Sequence, residues 1–234
     1  MASSKLALKT ELKAADSLAQ EAYDWLVTAI TTFKIPTNSQ ISENKLATEL
    51  GFSRTPVREA LMKLETEGLV TRGESGRFTV AMLTKKDVDE AMDLLLMLDT
   101  YMYKKAAENI TKEIATELRN AAKAMSDSAK NKDRESWSLH DLKYHELIMS
   151  IAKNEMVSEV SRVTRRRIQR FWARSASGAK DLATCSQEHV DIAKAIIEKD
   201  LKAIEKAVAE HINHLRANMH EIVSSMEALF GRPA

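Results

Sequence analysis

The sequence predicts a mainly α protein: an N-terminal winged helix-turn-helix followed by an all-α antiparallel helical bundle. Three observations carry this. Gly and Pro are scarce, 6 and 3 in 234 residues, while Ala, Leu, Glu and Lys dominate long stretches, so few positions break a helix. The interval 41–80, ISENKLATELGFSRTPVREALMKLETEGLVTRGESGRFTV, packs helix starts, helix stops and a hairpin tip into close order. Beyond it, apolar residues recur at helical spacing to the end of the chain. The expected division is 1–82, with 1–15 as an arm, and 83–234.

Residues 1–13 mix Ser and Lys with scattered Leu and read as a frayed or loosely attached helical arm. From Asp16, Leu18, Ala22, Trp25, Leu26, Ala29 and Ile30 share one helical face, and Pro36 ends that region. Ser42 is a good N-cap, with Ile41 and Leu46 as a hydrophobic staple, and Gly51 stands where a left-handed residue would stop the helix. A second helix starts from Ser53 as cap, with Pro56 tolerated in its first turn. Its apolar stripe is Val57, Ala60, Leu61 and Leu64; Arg54, Thr55, Arg58 and Met62 project from the other side. Gly68 closes it. Leu69 to Arg72 and Arg77 to Val80 read as strands joined by the turn Gly73, Glu74, Ser75 and Gly76. Such a module lays its second helix in the major groove of DNA, where arginine reads guanine edges.

Downstream, Thr84 is an N-cap with Asp87 in the first turn, and the helix 87–109 carries Met92, Leu95, Leu96, Met97, Leu98 and Met102. Further helices are expected over 112–130, 133–152, 155–175, 186–199 and 201–229. A bundle of this size buries one core, and facing helices commonly build ligand or metal sites between them.

Composition bounds the function. The formal net charge is +1, with 44% hydrophobic and 29% charged residues, which predicts a soluble globular protein with modest non-specific affinity for nucleic acid. A single cysteine, Cys185, excludes an internal disulfide, and no secretory signal or membrane-length apolar run is visible, so the expected compartment is the cytoplasm.

At SENKLATELGFSRTPVREALMKLETEGLV the sequence closely resembles the GntR family of bacterial transcription regulators, whose signature is an acidic residue, Leu-Ala, then SR-x-PVREAL-x-x-L-x-x-x-GL. The resemblance implies sequence-specific binding to double-stranded DNA by a homodimer on a pseudo-palindromic operator. Arg54 and Arg58 would read bases, Asn44, Ser53 and Thr55 would position the backbone, and Gly76 would let the wing tip approach the minor groove.

All six histidines lie beyond the winged-helix region. Asp141 and His145 are four apart on SLHDLKYHELIMSIA and so share a helix face, which suits either a shared cation or a surface ion pair. From Thr84 to Leu229 the chain resembles the FCD ligand-binding domain of the FadR subfamily. Its metal-binding members carry Asp-x-x-x-His, then Glu-His on a later helix and His-Ile on the last. The resemblance therefore implies a metal site of Asp141, His145, His189 and His211; His214, three residues after His211, is a candidate effector contact at the edge of that pocket. Three imidazoles and a carboxylate suit a divalent transition metal, with Zn²⁺ favoured and Ni²⁺ or Mn²⁺ possible. His140 points about 100° away from Asp141 on an ideal helix, and His220 reads as a surface or core residue.

From Ser161 to Lys180 the chain carries Arg162, Arg165, Arg166, Arg167, Arg170 and Arg174 with no acidic residue before Lys180. Such a run is either a solvated face or a source of anion ligands; as the latter, Arg162, Arg166 and Arg170 are the candidates. One departure from the family pattern bears on this: where many members carry an Arg four residues before Asp99, this chain has Leu95. The expected function is a metabolite-responsive repressor, not an enzyme, released by a small organic or sugar acid. The alternatives are a metal-dependent enzyme acting on a small acid, with Glu188 as base, and a fatty acyl-CoA-responsive regulator.

Overall fold

A computed structural model describes residues 2–32, 34–172 and 179–230, with side chains described over 17–32, 34–168 and 182–228. The chain forms two compact units, Met1–Met82 and Leu83–Ala234.

In the first unit, α1 (Ala2–Thr31) and α2 (Glu43–Leu50) both pack on α3 (Arg54–Thr66). The helix α1 starts well before Asp16, because Ala, Leu, Lys and Glu in the arm are all good helix formers. Ser42 accepts from the Lys45 N–H and Gly51 takes φ 71°, so both the expected start and the expected stop of α2 hold. Ser53 is the N-cap of α3 by backbone conformation, but its hydroxyl makes no cap hydrogen bond. The stripe Val57, Ala60, Leu61 and Leu64 is buried with Ala22, Leu26 and Ile30 of α1.

The wing is a three-stranded antiparallel sheet in the order β1 (Gln40–Ile41), β3 (Phe78–Val80), β2 (Val70–Arg72). Ile41 pairs with Phe78, and Arg72 pairs with Phe78 from the other side. The sequence pattern shows β2 and β3 but not β1, because a two-residue strand has too little length for any alternation. Phe78 and Val80 point into the core, while Arg72 and Arg77 stay exposed.

The second unit consists of α4 (Lys85–Asn109), α5 (Lys112–Lys130), α6 (Arg134–Ala152), α7 (Glu155–Trp172), α8 (Ala179–Glu198) and α9 (Leu201–Phe230). Helix α4 starts with a full capping box between Thr84 and Asp87. It is the hub, packing against α6, α7, α8 and α9, while α5 packs on α6 and α8. Helix α8 begins earlier than Ser186. That residue is inside the helix, where its hydroxyl donates to the Leu182 carbonyl and accepts from the Trp137 indole N–H at 2.8 Å. Residues 173–175, the expected end of α7, lie outside the described residues. Several helix ends use Lys rather than Gly in the left-handed region: Lys132, Lys153 and Lys199 have φ of 57°, 56° and 58°.

Candidate metal centre and nucleic-acid interface

The candidate nucleic-acid face lies on the capped helix pair. Asn44 near the start of α2, and Ser53, Arg54, Thr55 and Arg58 around the start of α3, are all exposed. Arg54 donates to Glu43 at 3.2 Å yet leaves 65% of its side chain accessible. Gly76 has φ +75°, which its turn requires, and the Arg72 guanidinium donates to its carbonyl at 3.2 Å. The wing therefore carries two exposed arginines, Arg72 and Arg77, that the sequence motif did not single out.

The second unit buries a polar cluster. Asp141 and His145 on α6 and His189 on α8 converge, and none exposes more than a tenth of its side chain. Asp141 Oδ1 lies 3.5 Å from His145 Nε2 and 3.5 Å from His189 Nε2, and the two Nε2 atoms are 3.3 Å apart. The outer nitrogens are committed. His189 Nδ1 donates to the Cys185 carbonyl at 2.8 Å, and His145 Nδ1 faces the Tyr103 hydroxyl at 3.2 Å. With protons on both Nδ1 atoms, two imidazole lone pairs and a carboxylate oxygen face one another. A divalent cation placed among them could take all three as ligands, in place of the Arg165 guanidinium that now lies 3.1 Å from His145 Nε2. The centre of such a triangle is roughly 2.0 Å from each corner, the length of a zinc bond to imidazole nitrogen or carboxylate oxygen.

The electrostatics agree. Burial opposes ionisation of Asp141, but His145, His189 and Arg165 together outweigh it and hold the carboxyl well below the usual carboxylate range. Burial and then Arg165 push His145 down, and burial, His211 and His145 push His189 well down, so both imidazoles are neutral, the form that binds metal.

His211 on α9 forms a second triangle with His189 and Cys185, their ligand atoms within 4.8 Å of one another. Its Nδ1 donates to Glu188 Oε2 at 2.7 Å, and His214 Nδ1 donates to Glu188 Oε1 at 2.9 Å. Glu188 is thus a bracket for two histidines well inside α8, not a first-turn acid. A cavity of about 30 Å³ adjoins the cluster, lined by Asp141, His145, Arg165, Cys185 and His211 on one side and by Ile168, Leu215 and Met219 on the other.

The expected arginines need correction. Arg162 is held on the outer surface by Glu146 and Glu155 at 3.0 Å and Glu159 at 3.4 Å. Arg166 does not line the cavity, and the Arg170 side chain lies outside the described residues. His214 sits behind Glu188 and also bonds Asn218. Instead Arg165 enters the cavity, donating to Asp99 at 2.5 Å and to His145 Nε2 at 3.1 Å. The pair Asp99 and Arg165 brings the guanidinium from α7 although position 95 on α4 is a buried Leu. A signal was present: a lone Asp at 99 amid apolar positions needs a buried cation, and Arg165 shares the face of Ser158, Ser161 and Ile168. His140 and His220 lie apart from the cluster, on Ser128 and Asp89 respectively.

A winged helix-turn-helix joined to a helical domain with a buried histidine and carboxylate cluster defines a two-domain DNA-binding regulator. Residues 18–80 match the gntR family of bacterial regulatory proteins and residues 90–214 match the FCD domain; the chain belongs to that family. It is 26% identical over 200 residues to the gluconate operon transcriptional repressor of Bacillus licheniformis, covering 83% of this chain and 82% of the relative. A probable D-xylose utilization operon transcriptional repressor of Paenarthrobacter nicotinovorans is 26% identical over 205 residues, covering 87% and 90%. Among solved structures, E. coli McbR/YncC superposes with a TM-score of 0.76 at 20% identity, covering 87% of this chain and 97% of that one, which bears on the fold alone. No helix among the described residues is long and apolar enough to cross a membrane.

Proposed function

We propose that the protein is a homodimeric transcriptional repressor whose operator binding is released by a small carboxylate taken up at a metal site in the second unit. The observation that carries the effector half is the triangle of Asp141, His145 and His189, three ligand atoms within 3.5 Å of one another with Arg165 beside them. A divalent transition metal suits it, Zn²⁺ before Ni²⁺ or Mn²⁺, with His211 available to complete the set. Bound there, the metal would supply a Lewis-acidic position for one carboxylate oxygen of the effector. The protein's own contribution is Arg165, held by Asp99 at the cavity edge so that its guanidinium meets the same carboxylate. One relative bears the name of a gluconate operon repressor, which fits regulation by a sugar acid; another is named for a D-xylose operon, a sugar without a carboxylate.

For DNA, Arg54 and Arg58 would read base edges, Asn44, Ser53 and Thr55 would hold phosphates, and Gly76 would bring the wing to the minor groove. The free Ser53 hydroxyl, unused as a helix cap, supports its share in this. A two-fold dimer would match a pseudo-palindromic operator. The second unit carries a face for it: Met97 and Tyr101 on α4, and Met156 and Val160 on α7, are exposed by 63, 38, 84 and 46%. Release requires that the effector bind the DNA-bound and free states unequally.

The other readings are weaker. Four ionisable side chains, Asp141, His145, Arg165 and His211, line the cavity, which suits a small polar acid better than a fatty acyl chain. For an enzyme, the nearest base, Glu188, is already shared by two imidazoles. The test is a gel-shift titration on operator DNA with and without organic acids. Arg58→Ala should cost about 1–3 kcal/mol of discrimination. Arg165→Ala should leave operator affinity intact while abolishing release by acid; unchanged selectivity in the first variant, or full release in the second, overturns the respective assignment.

A further inference from the structure

The second unit carries another cavity, a groove of about 580 Å³ between α5 and α8, which shares no lining residue with the cavity at the histidine cluster. Its floor is apolar: Ala122 from α5, and Val190, Ala193 and Ile197 from α8. Ala122 and Ala193 are buried in the contact between the two helices, and side chains this small leave a trough between the longer ones on either side. The walls are mainly cationic. Arg119, Lys123 and Lys130 recur on one face of α5, and Lys194 comes from α8. Two acids, Asp127 and Glu198, stand among them.

The existing ion pairs of the groove are exposed and lie within single helices. Asp127 takes Lys123 at 2.5 Å and Lys130 at 3.9 Å, and Glu198 takes Lys194 at 4.0 Å. Pairs of this kind are held weakly against solvent, so the ammonium groups are free to turn to another anion. Arg119 pairs with no carboxylate among the described residues. Four cations against two carboxylates leave the lining a surplus of two positive charges, in a chain whose formal net charge is only +1.

We propose that this groove is a second ligand site, for a small amphipathic organic anion. Its apolar body, aromatic or short aliphatic, lies on Ala122, Val190, Ala193 and Ile197, and its acid group is taken by the cationic walls. Arg119 is the anchor, because a planar guanidinium grips an oxyanion through two parallel bonds while the lysines act as point charges. The dimensions favour a single small molecule. Ligand pockets occupy roughly 300–1,000 Å³ and are mostly apolar with a few polar groups. From Arg119 to Lys130 the groove runs about 16 Å along α5, too short a stretch to bury the roughly 800 Å² per partner of a stable protein interface. The site does not depend on the metal centre proposed above.

The test uses anilinonaphthalene sulfonate, an anionic aromatic probe whose fluorescence rises on an apolar surface, and N-phenylnaphthylamine, the same rings without the charge. Folded full-length wild type should bind one sulfonate probe per chain, and the neutral probe about tenfold or more weakly. Arg119→Glu combined with Lys194→Glu should weaken the sulfonate probe about tenfold or more and leave the neutral one unchanged. Both positions are exposed, so the melting temperature should stay at the wild-type value. Arg119→Gln, which removes the charge without reversing it, should give a smaller loss in the same direction. His145→Ala, which alters only the histidine cluster, should bind the sulfonate probe as the wild type does. No binding by the wild type, equal binding of the two probes, or equal binding of the sulfonate by wild type and double variant overturns the site. Loss of binding in His145→Ala with retention in the double variant places the probe at the cluster and overturns it likewise.

Discussion

At the scale of single residues, the cluster in the second unit is an arrangement of proton positions. His145 and His189 hold their values below the ordinary imidazole value of about 6.5 because they are buried and face other cationic or neutral nitrogens. Between the depressed and the ordinary value the unfolded chain binds more protons than the folded one, so stability falls as the pH drops through that window. Asp141 works in the same direction at lower pH. Its stabilisation is present above the ordinary carboxylate value of about 3.9 and is lost as the pH falls towards its depressed one. Metal-free protein should therefore melt at a lower temperature at about pH 5.5 than at about pH 7.5, and His189→Gln should flatten the difference. Equal melting temperatures at the two pH values would contradict the neutral assignment. The residue scale is also where the sequence said least. Asp141 and His145 were visible as a pair because helix periodicity places them on one face. Arg165 was not distinguished from Arg162 and Arg166, because in a run of cations only the tertiary partner, Asp99 against Glu146, decides which one turns inward.

At the scale of elements, most of the fold was legible because caps and periodicity are local. Ser42, Gly51, Gly68 and Thr84 each fix a helix end through their own backbone or side chain, and each stands where the pattern put it. The strand β1 and the true start of α8 were not legible. The first is defined only by its partner Phe78, and the second depends on Ser186 being spent on Trp137 rather than on a cap. Where the sequence lacks Gly, lysines take the left-handed positions, at a cost of about 1 kcal/mol each for an L-residue. Lys199→Gly, between α8 and α9, should therefore raise stability by about 0.5–1 kcal/mol in urea unfolding, despite the added freedom of the unfolded chain. A loss of stability in that variant would mean that the Lys199 side chain has a role beyond its backbone conformation.

At the scale of the whole molecule, ligand and partner binding become measurable as stability and mass. A metal that binds only the folded state at a hundred times its Kd adds about 2.7 kcal/mol, which for a chain of this size raises Tm by roughly 5–10 °C. Adding Zn²⁺ to chelated wild type should produce that rise, and His145→Ala should abolish it; an equal rise in the variant would place the ion elsewhere. The exposed apolar face on α4 and α7 makes a separate prediction: Met156→Lys combined with Met97→Asp should shift sedimentation from dimer to monomer without changing the helical content. A dimer unaffected by both charges would move the interface to another surface.

The sequential pair Glu188 and His189 has one more consequence. The two side chains leave α8 about 100° apart, His189 towards Asp141 and His145 on α6, Glu188 towards His211 and His214 on α9. A twist of α8 about its own axis cannot loosen one grip without straining the other. Two adjacent residues thus tie α8 to α6 and to α9 at the same level, with the His189 ring also 4.7 Å from that of His211.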